Sequence, residues 1–428
     1  MKLFLALALS LAALSAPPVQ AQTTVGEAAR AIGAANDLVA AMKGKRPYAE
    51  TFAPVFVTAL PEAQFRALVE QLEAQYGPLQ ALSDTLSGGE GGTFGIALRF
   101  ERAIGHALIH IEATAPHRID GFRLTSFDVI GDNAKKISAE LGELPGTTSA
   151  LITQLDAGPP VFAHEADRPL AIGSTFKLYV LSALAHQVST GQRKWSDVVR
   201  LGPRSLPSGQ MQDWPENAPV TLQTLATMMI SISDNTATDT LIRLVGQDAL
   251  SAELKASGHS RPELNVPFLT TRQAFQLKGG EDTALAHYAS ADVDERAELL
   301  RLLDDQPVDR AKIAGKLSGA PRALDVEWFA SARDVAGILD RIRKVPDATA
   351  REILAVNPSM SSSVRHDWKY VGYKGGSEPG VLNLSWLLED AAGRWYAGVA
   401  SWNDPAAPVD QGTLGMLAQR MVALASPD

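Results

Sequence analysis

The chain has 428 residues, 46% of them apolar and 20% charged, and carries a net charge of −9. That is globular composition, at a length that suggests two or three domains. No basic stripe is available to neutralise phosphates, which excludes a nucleic-acid partner. There is no cysteine, so a disulfide, a thiol nucleophile and a lipid-modified N-terminal cysteine are excluded as well.

The chain opens with MKLFLALALSLAALSAPPVQAQ. One basic residue, Lys2, precedes an apolar core over residues 3–14, and Val19 and Ala21 are small residues where a signal peptidase reads. The apolar run is too short to span a bilayer. The expectation is a signal peptide over 1–21 and a periplasmic or secreted protein with no transmembrane segment after cleavage. Next, residues 25–44 show helical spacing and end at a glycine. Residues 60–77 predict a second helix, with Pro61 in its first turn and Gly77 at its end. Three strand-like runs follow, at 93–101, 105–114 and 118–128. His106 and His110 lie on the second of these and read as structural. The eight histidines show no metal-ligand spacing, so neither a metal nor another cofactor is expected. Helices followed by an antiparallel meander predict an α+β unit over 22–133.

A second unit is expected over 134–428. SALITQLD and VFAHEA flank the turn AGPP as a strand pair. A mostly helical stretch runs from about 174 to 350. Strands return at 368–376, 381–390 and 395–403, and a helix over 412–426 closes the chain. Strands at both ends of a helical middle predict one sheet assembled from distant segments.

The chemistry begins in AIGSTFKLYVLSALAHQ, which holds Ser174 and Lys177. One helical turn apart, their side chains share a face. Gly173 suits a tight entry that places Ser174 in the first turn, where free N–H groups favour a developing anion. A serine hydroxyl needs a neighbour to take its proton, and a lysine can do so once burial or a nearby cation lowers its pKa. Ser233-Asp234-Asn235 follows an apolar helix. Ser233 can pass a proton, Asn235 can fix a substrate carbonyl or the lysine, and Asp234 can brace the turn; the same three residues also suit a helix cap. In YKGGSEPGVL, Lys374 is expected to end a strand. Gly376 would allow close approach there, and the Ser377 N–H could join that of Ser174 in an oxyanion hole. A glycine-rich hairpin turn is the plainer alternative.

Ser-x-x-Lys, then Ser-Asp-Asn, then Lys-Gly-Gly on a late strand resembles the motif set of class A β-lactamases and penicillin-binding proteins. The resemblance implies a five-stranded antiparallel sheet flanked by helices, with a helical subdomain. It implies Ser174 as the acylated nucleophile, Lys177 as its base partner and Ser233 as a proton shuttle. It further implies Lys374 as the strand cation, with Asn235, Gly376 and Ser377 lining the substrate. The N-terminal unit resembles the ketosteroid isomerase-like (NTF2-like) fold, an α+β cone. The combination resembles the serine hydrolases encoded in clavulanic acid biosynthetic clusters, which hydrolyse esters weakly and β-lactams little.

Two departures bear on function. Class A enzymes carry a loop glutamate in a Glu-x-x-Leu-Asn context, and aligning Leu264-Asn265 to it puts Arg261 in the glutamate's place, with Glu263 two positions off. Gly375 stands where the family has a hydroxyl that helps hold a substrate carboxylate. The expected function is an exported serine hydrolase acting on a small-molecule ester or amide, including β-lactams, with weak β-lactam deacylation. A true β-lactamase or D,D-peptidase, and a non-catalytic β-lactam-binding or cell-wall-peptide-binding scaffold, are the alternatives. If the signal peptide is cleaved, protein recovered from the exported fraction will have an intact mass beginning at Gln22; a chain that retains Met1 refutes cleavage.

Overall fold

The computed structural model describes residues 25–426, apart from Gly89, Pro207, Asp309 and Ser361. The expected signal peptide lies outside the described residues. The chain divides into an N-terminal unit ending at Asp132 and a larger unit beginning at Asn133.

The N-terminal unit opens with α1 (Val25–Met42), α2 (Tyr48–Thr51), α3 (Pro54–Ala59) and α4 (Glu62–Tyr76). On α1, Ala31, Ala35, Leu38 and Met42 recur at helical spacing and are buried. Phe65, Val69, Leu72 and Tyr76 do the same on α4. A meander of four antiparallel strands follows in the order β1-β2-β3-β4: Leu79–Gly88, Thr93–Phe100, Ala103–Ile111 and Ile119–Val129. Every second residue of β3 is buried, so one face of the sheet packs on the helices. Three of these strands were expected. β1 was not, because bulges between Leu79 and Ala81 and between Ser83 and Ser87 break its alternation. His106 on β3 reaches Asp128 on β4 at 2.6 Å. His110 bonds Asp120 on β4 and, at 2.9 Å, the carbonyl of Gly91.

In the larger unit, α5 (Ala134–Gly142) precedes β5 (Thr147–Gln154), β6 (Phe162–His164) and the two-residue β7 (Leu170–Ala171). A 3-10 turn, Gly173–Phe176, leads into α6 (Lys177–Ser189). β8 (Val198–Arg200) and β9 (Pro219–Thr221) form a small ribbon. The helices α7 (Leu222–Ser231), α8 (Asn235–Val245), α9 (Gln247–Ala256), α10 (Thr271–Gly279), α11 (Asp282–Ser290), α12 (Val293–Asp304) and α13 (Arg310–Leu317) come next. After them, β10 (Phe329–Ala330) pairs with β7, and α14 (Ala332–Lys344) and α15 (Thr349–Ala355) return the chain to the sheet. β11 (Tyr370–Glu378), β12 (Val381–Glu389), β13 (Trp395–Asn403) and the C-terminal helix Gln411–Ala423 complete the unit.

The main sheet has five antiparallel strands in the order β11-β12-β13-β5-β6, built from the two ends of the unit as expected. Its two faces belong to different cores. Ile137 and Leu141 of α5 pack with Leu414, Leu417 and Met421 of the C-terminal helix against one face. α6 and α14 cover the other, through residues such as Leu181, Leu184, Ile338 and Leu339. α6 is buried without interruption from Lys177 to Ala185, so a lysine amine is enclosed with the apolar chains around it.

A clasp holds β7 and the turn after it to the sheet. The side chain of Asn403, at the end of β13, accepts from Ala171 N at 2.8 Å and donates to Ala171 O at 3.0 Å. It thereby stands in for a backbone partner between segments 232 residues apart. Replacing Asn403 with Ala leaves both groups unpaired, at about 1–3 kcal/mol each. Urea unfolding of this variant should show a matching fall in stability; a change under about 0.5 kcal/mol, the size of an ordinary surface substitution, would show that the clasp is dispensable.

Candidate active site

The 3-10 turn carrying Ser174 lies against the edge strand β11. Gly173 has φ +48°, a left-handed conformation that glycine adopts without strain. Gly376 admits the close approach: a methyl group there would lie 2.1 Å from Ile172 O and 2.5 Å from Ser174 N. A side chain on Gly173 would lie 3.1 Å from Ser377 N. The backbone nitrogens of Ser174 and Ser377 therefore both lie at the contact between turn and strand, where an oxyanion hole would need them. Beneath the turn, Thr175 donates to Asn383 on β12 at 2.8 Å, and Asn383 donates to Ser401 on β13 at 2.7 Å. This buried network ties the turn to two sheet strands.

Ser174 was expected in the first turn of a helix; it sits in the 3-10 turn, and the helix proper begins at Lys177. Lys177 is 0% exposed. Its amine is 2.7 Å from Ser233 O, 2.7 Å from Asn235 Oδ1 and 2.9 Å from Ser233 Oγ. Burial pushes it well below the ordinary lysine range and the Lys374 charge pushes it further, against the pull of Asp239 and Asp234. The two carbonyl oxygens can only accept, so an uncharged amine spends its two N–H bonds on them. Its lone pair is then left for a hydroxyl proton. Asn235 Nδ2 donates to Leu206 O at 3.1 Å, which keeps Oδ1 on the lysine. Of the two roles open to Asn235, the geometry favours holding Lys177 over reaching a substrate.

Ser233 occupies the loop between α7 and α8 with φ +59°. For a residue with a Cβ that costs on the order of 1 kcal/mol. Two donors fix the strained carbonyl, Lys177 and Ser208 Oγ at 2.8 Å. Asp234 caps α8 through Ala237 N at 2.9 Å and also accepts from Gln210 N at 2.6 Å and Met211 N at 2.8 Å. The cap and the site coexist: Asp234 braces the turn while Ser233 and Asn235 face the lysine.

Lys374 is buried in mid-strand rather than at a strand end, because β11 runs on to Glu378 and the chain reverses only at Gly380, φ +81°. Its amine donates to Ser233 Oγ at 3.2 Å and to Gly375 O. Burial lowers its pKa to about 7. Ser233 Oγ thus lies within hydrogen-bond reach of both lysine amines.

Past the oxyanion strand, Lys278 of α10 donates to Glu327 and Glu378, each at 2.5 Å. Burial and the neighbouring Glu327 push the Glu378 carboxyl above the usual carboxylate range. This cluster anchors the end of β11, and nothing local in the sequence announces it. The loop expected to matter for water activation lies elsewhere. Glu263 is 57% exposed and pairs with Arg261. Asn265 is buried and bonds both backbone groups of Phe329, at 2.8 and 2.9 Å. A cleft of about 710 Å³ joins Ser174, Ser233, Asn235, Lys374, Gly376 and Ser377, and no Asp or Glu is among the described residues lining it. Among the described residues, no group of three His, Asp or Glu side chains could hold a metal.

A family model described as the beta-lactamase enzyme family matches residues 132–352, just over half of the chain. The chain belongs to the beta-lactamase enzyme family, whose members are serine hydrolases. The matched stretch includes Ser174, Lys177 and Ser233 to Asn235 and stops short of Lys374. Similar solved structures each align with 68% of this chain. They include PBP-A (17% identity, 94% of that chain, TM-score 0.47) and a beta-lactamase from Sphaerobacter thermophilus (22%, 95%, 0.47). Another is a beta-lactamase from Desulfarculus baarsii (18%, 98%, 0.48). No curated protein matches the chain.

The lysine pair gives this family member a testable pH profile. Lys374 lowers the pKa of Lys177, so removing that charge must raise it. In Lys374→Met the acid limb of Ser174 acylation should move to higher pH, read as probe labelling rate against pH. A limb that stays in place would show that Lys177 does not sense Lys374.

Proposed function

We propose that the chain is an exported, periplasmic or secreted serine hydrolase that forms an acyl-enzyme at Ser174 with esters or amides and clears β-lactam acyl groups slowly. The observation that carries the reading is a buried lysine, its pKa pushed well below the ordinary range, hydrogen-bonded to the Ser233 hydroxyl in the cleft that holds Ser174. Lys177 takes the Ser174 proton, directly or through Ser233, as Oγ attacks the carbonyl carbon. The Ser174 and Ser377 N–H groups hold the developing oxyanion. The carbon–oxygen or carbon–nitrogen bond to the leaving group breaks, and Ser233 gives that group a proton drawn from Lys177. In the second step water passes its proton to Lys177, adds to the acyl carbon and expels Ser174, which regains a proton. Lys374 fixes Ser233 and lowers the basicity of Lys177. The four helices and four-stranded meander of the N-terminal unit support a ketosteroid isomerase-like domain in the same reading, and the pair of domains supports the clavulanic-acid-cluster type.

The cleft lining supports the slow second step. A β-lactam acyl group keeps its amine tethered, so its clearance depends on a well-placed base. General-base assistance is worth about 10²–10⁴-fold, and Glu263 is turned to solvent. A small ester releases its alcohol and leaves a compact acyl group open to water. Stopped-flow with a chromogenic cephalosporin should show a stoichiometric burst and a slow steady state, with turnover of small esters and labelling abolished in Ser174→Ala. Labelling that persists in Ser174→Ala moves the nucleophile elsewhere. Cephalosporin turnover on the order of 10 s⁻¹ or more without acyl-enzyme accumulation makes the chain an ordinary β-lactamase. No adduct with any probe favours the binding-only alternative.

A further inference from the structure

The cluster of Lys278, Glu327 and Glu378 does not line the cleft, and the roles described above do not use it. Lys278, near the end of α10, is 1% exposed and donates to both carboxyls at 2.5 Å. Glu327 is buried, and the Glu378 side chain is 18% exposed. The two carboxyls also lie within hydrogen-bond reach of each other. A carboxylate can only accept, so that contact needs a proton on one of them. Two carboxyls that share a site cannot easily ionise together, and one of them keeps its proton to a higher pH.

Each carboxyl belongs to a segment that supports the turn bearing Ser174. Glu378 directly follows Ser377, whose backbone nitrogen lies at the contact between β11 and that turn. Glu327 precedes Trp328, whose carbonyl accepts from Ile172 N at 3.0 Å and whose ring stacks on Phe176 with centroids 3.7 Å apart. One amine therefore joins the two supports. The helix that carries it is fixed at its other end by Asp239 of α8, which accepts from Thr271 N at 2.7 Å and Arg272 N at 3.0 Å. Burial works against the Lys278 charge, and the two carboxyls outweigh it and hold its pKa above the ordinary range. The other charged groups on the surrounding elements are engaged elsewhere. Arg322 bonds Lys278 O at 2.5 Å and Asp282, Lys316 bonds Gly280 O, and Asp404 accepts from Ala406 N at 2.8 Å. Asp325 is exposed. With a proton between the carboxyls the cluster is neutral. Without it, two buried negative charges lie against each other and share one cation.

We propose that Glu378 is a positioning residue for acylation: while it shares a proton with Glu327, it holds the end of β11, and with it the Ser377 N–H, against the turn that carries Ser174. The proposal rests on the acyl-enzyme reading above. Glu378 touches no substrate and acts through the backbone of its neighbour. When its proton leaves to water, the two carboxylates repel across Lys278 and the end of β11 loses its anchor. The oxyanion then loses a well-placed donor, so acylation falls on the alkaline side. Burial first, and Glu327 second, keep this proton bound past the usual carboxylate range, against the pull of Lys278. The folded protein thus holds the proton more tightly than the unfolded chain. Its contribution to stability is full below the pKa of an unfolded glutamate and is lost as pH rises through that of the folded one.

The test follows acylation of Ser174 by a chromogenic aryl ester in full-length protein, from weakly acidic to alkaline pH. The burst rate constant is corrected for alkaline hydrolysis of the ester. The wild type should show an alkaline limb over which acylation falls by about 10-fold or more, within the ~10²–10³-fold cost of losing one oxyanion donor. Glu378→Gln supplies a permanent N–H toward Glu327 and should acylate near the wild-type acid-side rate with the limb gone. Glu378→Ala removes the anchor and should be slow at every pH. Glu327→Gln leaves a single carboxylate for Lys278, so it should also lose the limb, which keeps the test valid should Glu378→Gln fail to fold. Urea unfolding adds a readout that involves no chemistry: stability should fall with rising pH across the limb in the wild type and stay flatter in Glu378→Gln. A wild type without the limb overturns the proposal. So does a limb that persists in Glu378→Gln, or one that is lost in Lys374→Met and in neither glutamine variant. Absence of a Ser174 adduct at any pH is a different failure, that of the acyl-enzyme reading; the positioning role falls with it, and the stability profile still reports the shared proton.

Discussion

The site is organised by the burial of one amine. Lys177 projects from a helix enclosed on every side, so its charge would lose water with little in return, at a cost of several kcal/mol. The amine is met by oxygens and its pKa is pushed well down, and its neighbours are arranged around it. Ser233 accepts a left-handed backbone to aim both its carbonyl and its hydroxyl at the amine. Asp234 stabilises the resulting turn by capping the next helix. Lys374 brings a second buried amine to the same hydroxyl. An unfavourable burial thus places an amine of lowered pKa beside a hydroxyl that two amines reach, which is the basis of the base and shuttle roles proposed above.

The glycines of the oxyanion region answer a second constraint, the distance between turn and strand. Gly376 lets β11 press against the turn that carries Ser174, where a methyl group would lie 2.5 Å from Ser174 N. Gly375, next to it, makes room on the other face for the Tyr373 hydroxyl, which would lie 2.1 Å from a methyl group there. Adjacent glycines on one strand thus admit different neighbours, because successive positions face opposite ways.

Much of this was legible in the sequence. The spacing of Ser174 and Lys177, the Ser-Asp-Asn turn and the late strands carry local signals, and the sheet built from both ends of the larger unit follows from strands flanking a helical middle. The misreadings have physical causes. β1 was hidden by its two bulges. Lys374 was read as a strand end because two glycines follow it, yet those glycines continue the ladder and the reversal waits for Gly380. The Ser-Asp-Asn stretch could be read as a cap or as chemistry; in the structure Asp234 caps the next helix while Ser233 and Asn235 meet the Lys177 amine. Other features had no local signal at all. Lys278 meets Glu327 and Glu378 from 49 and 100 residues away, and the cleft exists only once β11, β12 and the C-terminal helix are assembled.

The Asn403 clasp has a consequence for the order of events in folding. Ala171 is held by a residue that follows it by 232 positions, and β5 finds its inner neighbour only in β13. Loop closure over such separations is slow, and local helices form long before it. During synthesis the helical middle can take shape while β5, β7 and the turn bearing Ser174 still lack the strands that support them. The nucleophile is thus placed in the last stage of folding, once almost the whole chain is available, and a chain interrupted before β13 has no means of forming the site.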